Sequence, residues 1–145
     1  MSALTADILA EKSQAIERHL ARVAARLPAA PGDLQSASDA SDAVVLHLWQ
    51  ATQIVVDLAV AACVELKLGA PAAYADAFRR LEAAGVLEAA LADRLVRAAG
   101  FRNVVAHAYE TLDMARVFRA ARKGPHDLRA FLAALIARLR SDRQT

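Results

Sequence analysis

From about Asp42 to Leu68 the chain is apolar around nearly its whole circumference, with Leu, Val, Ile, Ala and Trp49 filling the segment. A helix of that kind has to be covered on most sides. Either other helices or a lipid bilayer can do so. The bilayer is the poorer fit, because Asp57 stands near the centre and would cost about 2.5–3.5 kcal/mol even on lenient insertion scales. The sequence also lacks a second span and flanking anchors. The segment therefore reads as the central helix of a bundle, with no membrane. Its polar residues His47, Gln50, Gln53 and Asp57 fall within about 120° of one another at about 100° per residue.

The flanking sequence supplies the covering helices. Leu4, Ile8, Ile16, Leu20, Val23 and Leu27 recur at helical spacing, and Pro28, Pro31 and Gly32 end that run. After the central segment, Gly69 is placed to stop it and Pro71 to open a third helix over about Ala72–Ala84, closed by Gly85. Tyr74, Phe78 and Leu81 are its expected core contacts. A fourth helix follows with Leu91, Leu95, Val96 and Val105 inward. Gly100 within it costs about 1 kcal/mol relative to Ala in a regular helix, which suggests a bend or a close backbone approach. Asp113 can cap a short fifth helix ending near Gly124-Pro125. A sixth carries Leu128, Phe131, Leu132, Leu135, Ile136 and Leu139. The expectation is an all-α up-and-down bundle of five to six helices, with residues 1–145 forming a single domain. That length suffices to bury a core.

The charge is uneven. Residues 1–93 carry 7 Lys+Arg against 12 Asp+Glu, and residues 94–145 carry 11 against 4. A basic C-terminal part attracts phosphate; the plain alternative is a solvated Arg-rich face. One cysteine, Cys63, cannot form an intramolecular disulfide and reads as a small buried hydrophobe in a reducing, cytoplasmic setting. Asp7, Glu11, Lys12 and Glu17 interrupt any apolar leader.

Within the basic part lies Arg102-Asn103-Val104-Val105-Ala106-His107-Ala108-Tyr109. Arg102 and Tyr109 share a helix face, whereas His107 lies about 140° from Arg102. The two converge on one phosphodiester only if the helix ends or distorts, or if two copies face each other across a dimer. Histidine shuttles protons near neutral pH, and arginine offers a fixed cation for charge growing on phosphoryl oxygens. Together they suit RNA cleavage by attack of the ribose 2′-hydroxyl on phosphorus. Tyr109 can position a phosphate or stack on a base. His19, His47, His107 and His126 show no metal-ligand spacing, so neither metal nor cofactor is expected. The alternative is that His107 and Tyr109 are core residues and Arg102 a surface cation.

The run Gly100-Phe101-Arg102-Asn103 followed by His107-x-Tyr109 resembles the signature of HepT-type toxins of the HEPN superfamily. Gln53–Ala59 with Asp57, and Gly69–Gly85 with Tyr74, Phe78 and Leu81, resemble the same family, over about residues 4–140. The resemblance implies the toxin of a type II (or type VII-like) toxin–antitoxin pair, a metal-independent endoribonuclease acting on tRNA or mRNA. It implies a nucleotidyltransferase (MNT-type) antitoxin that transfers AMP to Tyr109, and a homodimer. Arg102 and His107 would be catalytic, and Asn103 a lesser polar contributor. Asp57 would either orient Arg102 or His107 or simply fix packing. His47 reads as a structural or interface polar group and Trp49 as a core or dimer-interface anchor. A different class remains open: a non-catalytic HEPN module that docks a nucleotidyltransferase.

Overall fold

The computed structural model describes residues 3–144. Five helices follow in order: α1 (Ala6–Arg26), α2 (Asp39–Glu65), α3 (Tyr74–Ala83), α4 (Ala89–Ala108) and α5 (Met114–Gln144), with 3₁₀ turns at Pro31–Asp33 and Tyr109–Thr111. There is no strand among the described residues. The fold is the expected all-α bundle.

Local chemistry sets the helix ends. The Thr5 hydroxyl accepts from the Ile8 N–H to start α1. Ser38 and Ser41 exchange side-chain and backbone bonds in a capping box that fixes the start of α2. Asp113 accepts from the Ala115 N–H ahead of α5, as its sequence position suggested. At the end of α3, Gly85 takes φ +79° and the Val86 N–H reaches back to the Leu81 carbonyl. The end of α2 differs from expectation. Lys67 takes the left-handed turn directly after the helix, with the Leu68 N–H bonded to the Cys63 carbonyl, and Gly69 follows two residues on at φ +91°. Gly69 serves another purpose, since a Cβ there would meet the Arg80 guanidinium at 2.8 Å. Arg80 needs that space to donate to the Leu68 carbonyl. Pro71 lies before α3 rather than in its first turn.

Two further expectations are corrected. The fifth and sixth helices are one, and α5 runs through Pro125. An interior proline costs about 3 kcal/mol. The apolar rows before and after it, from Val117 and Phe118 to Leu128, Phe131 and Leu135, are in phase, and all are buried. Each large side chain so buried contributes about 1.5–3 kcal/mol, which outweighs one lost bond. Gly100 marks no close approach: α4 passes through it without interruption, and a Cβ there would meet nothing within 4 Å.

The four long helices alternate in direction. Side-chain bonds tie each to its antiparallel neighbour: His19 to His47, Gln53 to Arg102, Arg94 to Asp127 and Arg129 to Glu17. α2 is long and apolar enough to cross a membrane by composition, but it packs on α1, α3, α4 and α5. The buried residues form two clusters. The larger contains Ile16, Leu20, Val55, Phe78, Leu95 and Phe131, with Phe78 and Phe131 meeting edge to face at 5.8 Å. Cys63 is buried there, and burial raises its thiol pKa. The smaller cluster, around Val23, Val44, Leu48, Val105 and Phe118, lies beneath the start of α2 and the end of α4.

Candidate functional site

Antiparallel packing of α2 on α4 lays the polar stripe of α2 beside the motif at the end of α4. Arg102 is half-buried, and its Nε donates to Gln53 Oε1 at 2.7 Å. The Gln53 amide nitrogen donates in turn to Asp57 Oδ1 at 2.9 Å. Asp57 therefore bonds neither Arg102 nor His107 directly; it fixes the orientation of the amide that holds Arg102. A second guanidinium nitrogen donates to Asn103 Oδ1 at 3.0 Å. The guanidinium carbon lies 5.2 Å from the Trp49 ring centroid and 5.4 Å from that of Tyr74. Two π faces and two neutral amide oxygens thus hold Arg102 in place. None of these contacts cancels its charge.

His107 occupies the last turn of α4, exposed, and its imidazole makes no hydrogen bond to another described residue. After it the helix breaks: Ala108 takes φ −141° and ψ 39°, and a 3₁₀ turn begins at Tyr109. The break comes too late to swing His107 toward Arg102, so their offset of about 140° on α4 persists. Tyr109 is carried back onto α2, where its hydroxyl donates a hydrogen bond to Asp42 Oδ1. That bond, then partial burial, then the charges of Asp42 and Glu110 push the phenol pKa from 10.0 to about 12. Asp42, Leu46 and Trp49 of α2, with Val105 and Tyr109, border an open groove of about 440 Å³. Leu46 stands half-exposed on its rim.

His47 turns away from this groove. Its Nδ1 meets His19 Nδ1 of α1 at 3.0 Å, so one ring donates and the other accepts. Partial burial first lowers both imidazole pKa values; at His19 the charge of His47 comes next and then nearby guanidinium groups, and at His47 the guanidinium groups follow directly. Among the described residues no three His, Cys, Asp or Glu side chains gather where they could hold a metal ion.

Four contributors were not visible as such in the sequence. Trp49 and Tyr74 read as packing residues, and Gln53 and Asp42 had no role assigned. Only Gln53 carried a signal, its i,i+4 spacing from Asp57 on the stripe of α2. The other three depend on which helix lies opposite.

The comparisons bear on the family and the fold. No curated protein matches the chain. The tri-AMPylated Shewanella oneidensis HEPN toxin in complex with MNT antitoxin superposes with a TM-score of 0.79 at 26% identity, over 92% of this chain and 99% of that one. A mutant of the MntA–HpeT toxin–antitoxin complex gives 0.78 at 25% identity, covering 90% and 98%. A toxin–antitoxin complex with AMP-PNP gives 0.81 at 23% identity over the same shares, a likeness of fold. The family model described as ribonuclease HepT-like matches residues 16–135, and the chain belongs to that family.

Proposed function

We propose that this protein is a cytoplasmic HEPN toxin: a metal-independent endoribonuclease acting on tRNA or mRNA, held in check by a nucleotidyltransferase antitoxin that adenylylates Tyr109. The observation that carries the reading is the way Arg102 is held. Amide oxygens and aromatic faces position it while its charge stays available to a phosphate. His107 stands exposed five residues on, free to take the 2′-hydroxyl proton or return one to the leaving oxygen. Asn103, Gln53 and Asp57 are positioning groups for the guanidinium.

One copy keeps Arg102 and His107 on different sides of α4, so the working cleft is built by two. In a homodimer with the α4 ends opposed, the arginine of one protomer and the histidine of its partner address the same phosphodiester. The exposed Leu46 beside the groove gives such an interface apolar area. The tri-AMPylated state of the Shewanella toxin supports adenylylation as the mode of control; at Tyr109 each adenylyl group would add negative charge and bulk on the side of α4 that carries Arg102.

The test is direct. Protein freed of any partner should degrade RNA in EDTA and sediment as a dimer or a higher even assembly, while His107→Ala and Arg102→Ala should be inactive. Equal activity in His107→Ala would expose a contaminating nuclease and leave the docking-module alternative standing. On co-expression with the neighbouring nucleotidyltransferase, wild type should gain mass in steps of one AMP and Tyr109→Phe should not.

A further inference from the structure

Tyr109 has a partner that neither the RNA-cleaving chemistry nor the family signature uses. Its hydroxyl donates a hydrogen bond to Asp42 Oδ1, across 67 residues of sequence. The carboxylate is not on a loose loop. Asp42 lies in the first turn of α2, which the Ser38–Ser41 capping box holds and whose Val44 and Val45 are buried in the smaller core cluster. Tyr109 is still 43% exposed at the mouth of the groove, so an incoming phosphate can reach its oxygen.

We propose that Asp42 is the general base for adenylylation of Tyr109, a catalytic residue that the toxin supplies to its own silencing. This rests on Tyr109 being the AMP acceptor. A protonated phenol is a weak nucleophile, and its proton has to leave as the new bond forms. Oη attacks the α-phosphorus of a nucleoside triphosphate presented by the nucleotidyltransferase. The Oη–H bond breaks, the Oη–Pα bond forms, and pyrophosphate departs with the electron pair of the broken Pα–O bond. The proton passes along the existing hydrogen bond to Asp42 and from there to water. Beside Asp42 a free phenolate is disfavoured, so proton transfer runs together with bond formation rather than ahead of it. The carboxylate becomes the better base only once Oη has begun to bond to phosphorus. After transfer the oxygen has no proton to donate and carries an anionic diester next to an anionic carboxylate. The modified ring is thereby driven off α2.

The experiment uses intact toxin, purified without antitoxin, then mixed with the nucleotidyltransferase encoded beside it, ATP and Mg²⁺. Initial rates of AMP addition to Tyr109 are read by intact-mass spectrometry and peptide mapping. Asp42→Asn should lower kcat by about 100-fold or more, with KM for the toxin within about twofold of wild type and an unchanged circular dichroism spectrum. Asp42→Glu, which keeps the carboxylate, should recover part of the rate. Wild-type kcat in Asp42→Asn, or a loss confined to KM, would overturn the assignment and leave Asp42 as a docking contact. Wild-type toxin with no AMP on Tyr109 would instead remove the acceptor reading on which the inference rests.

Discussion

Arg94 and Arg102 lie about two turns apart on α4 and are held in opposite ways. Arg94 donates through Nε at 2.8 Å to Asp127, a carboxylate almost closed off from solvent. Its charge is met, and the pair ties α4 to α5. Arg102 donates through its own Nε at 2.7 Å to an amide oxygen and rests between the rings of Trp49 and Tyr74. It is as well located as Arg94, but among the described residues no carboxylate meets it. A guanidinium spent on a carboxylate holds a fold together; one held by dipoles and π faces is positioned for a ligand still to come.

That contrast can be broken at either arginine. Arg102→Ala should lower RNA cleavage by about 10²–10³-fold, the usual loss when one preorganised charge-stabilising group is removed. Arg94→Ala should leave cleavage within about twofold and act on stability instead. It strands Asp127 and should cost about 1–2 kcal/mol in urea unfolding, a figure held down by the partial exposure of Arg94. Comparable loss of cleavage in both variants would make the distinction empty.

A sharper version converts one environment into the other. Gln53→Glu keeps an acceptor for Arg102 Nε but supplies a carboxylate, so that Arg102 becomes held like Arg94. Cleavage should fall by about tenfold or more and stability slightly, because the new carboxylate loses the bond to Asp57 and faces its charge, whereas Gln53→Ala should cost less activity. Full cleavage by Gln53→Glu would show that the charge of Arg102 need not be free.

The His19–His47 contact adds a third way of holding polar groups, and it has a pH signature. Burial first depresses both imidazoles below their ordinary value of 6.5 in the folded state, followed by His47 and then Arg22 and Arg18 at His19, and by Arg22 and Arg26 at His47. The unfolded chain then binds protons more readily, so stability is complete above about pH 6.5 and declines as the pH falls below it toward the folded values. Glu17, depressed mainly by its bond to Arg129, adds a loss only at lower pH, below about 4.5. Urea unfolding at pH 7.5 and 5.5 should show the decline in wild type and a shallower one in His19→Gln. The smallest effect is at Gly100. Gly100→Ala places a methyl group in open space on α4 and should stabilise by about 0.5–1 kcal/mol without touching cleavage. Lost activity there would mean that this face of α4 meets RNA or a second protomer.

Much of the fold could be read in advance because helix periodicity is a local property. The apolar circumference of α2, the stripe of α1 and the in-phase rows of α5 each lie within one stretch of chain. The join at Pro125 could not be read that way. Local chemistry at Gly124-Pro125 argues for a stop, and only the common surface under both halves of α5 overrides it. Gly69 misled for a related reason: the residue that closes the helix is Lys67, and Gly69, itself at φ +91°, lies beside the Arg80 guanidinium, which no local pattern announces.

The sequence by itself determined which reactive groups the chain owns and that they ride on helices: Arg102, Asn103, His107 and Tyr109 within eight residues, and Gln53 and Asp57 one turn apart. Only the tertiary structure decided what each of them faces. Asp57 reaches Arg102 through Gln53, Trp49 and Tyr74 become the walls of a cation site, and Asp42 takes the Tyr109 hydroxyl. The physical reason is that spacing along a helix fixes the direction of a side chain but not its neighbour, and the neighbour settles whether a charge is neutralised or left available.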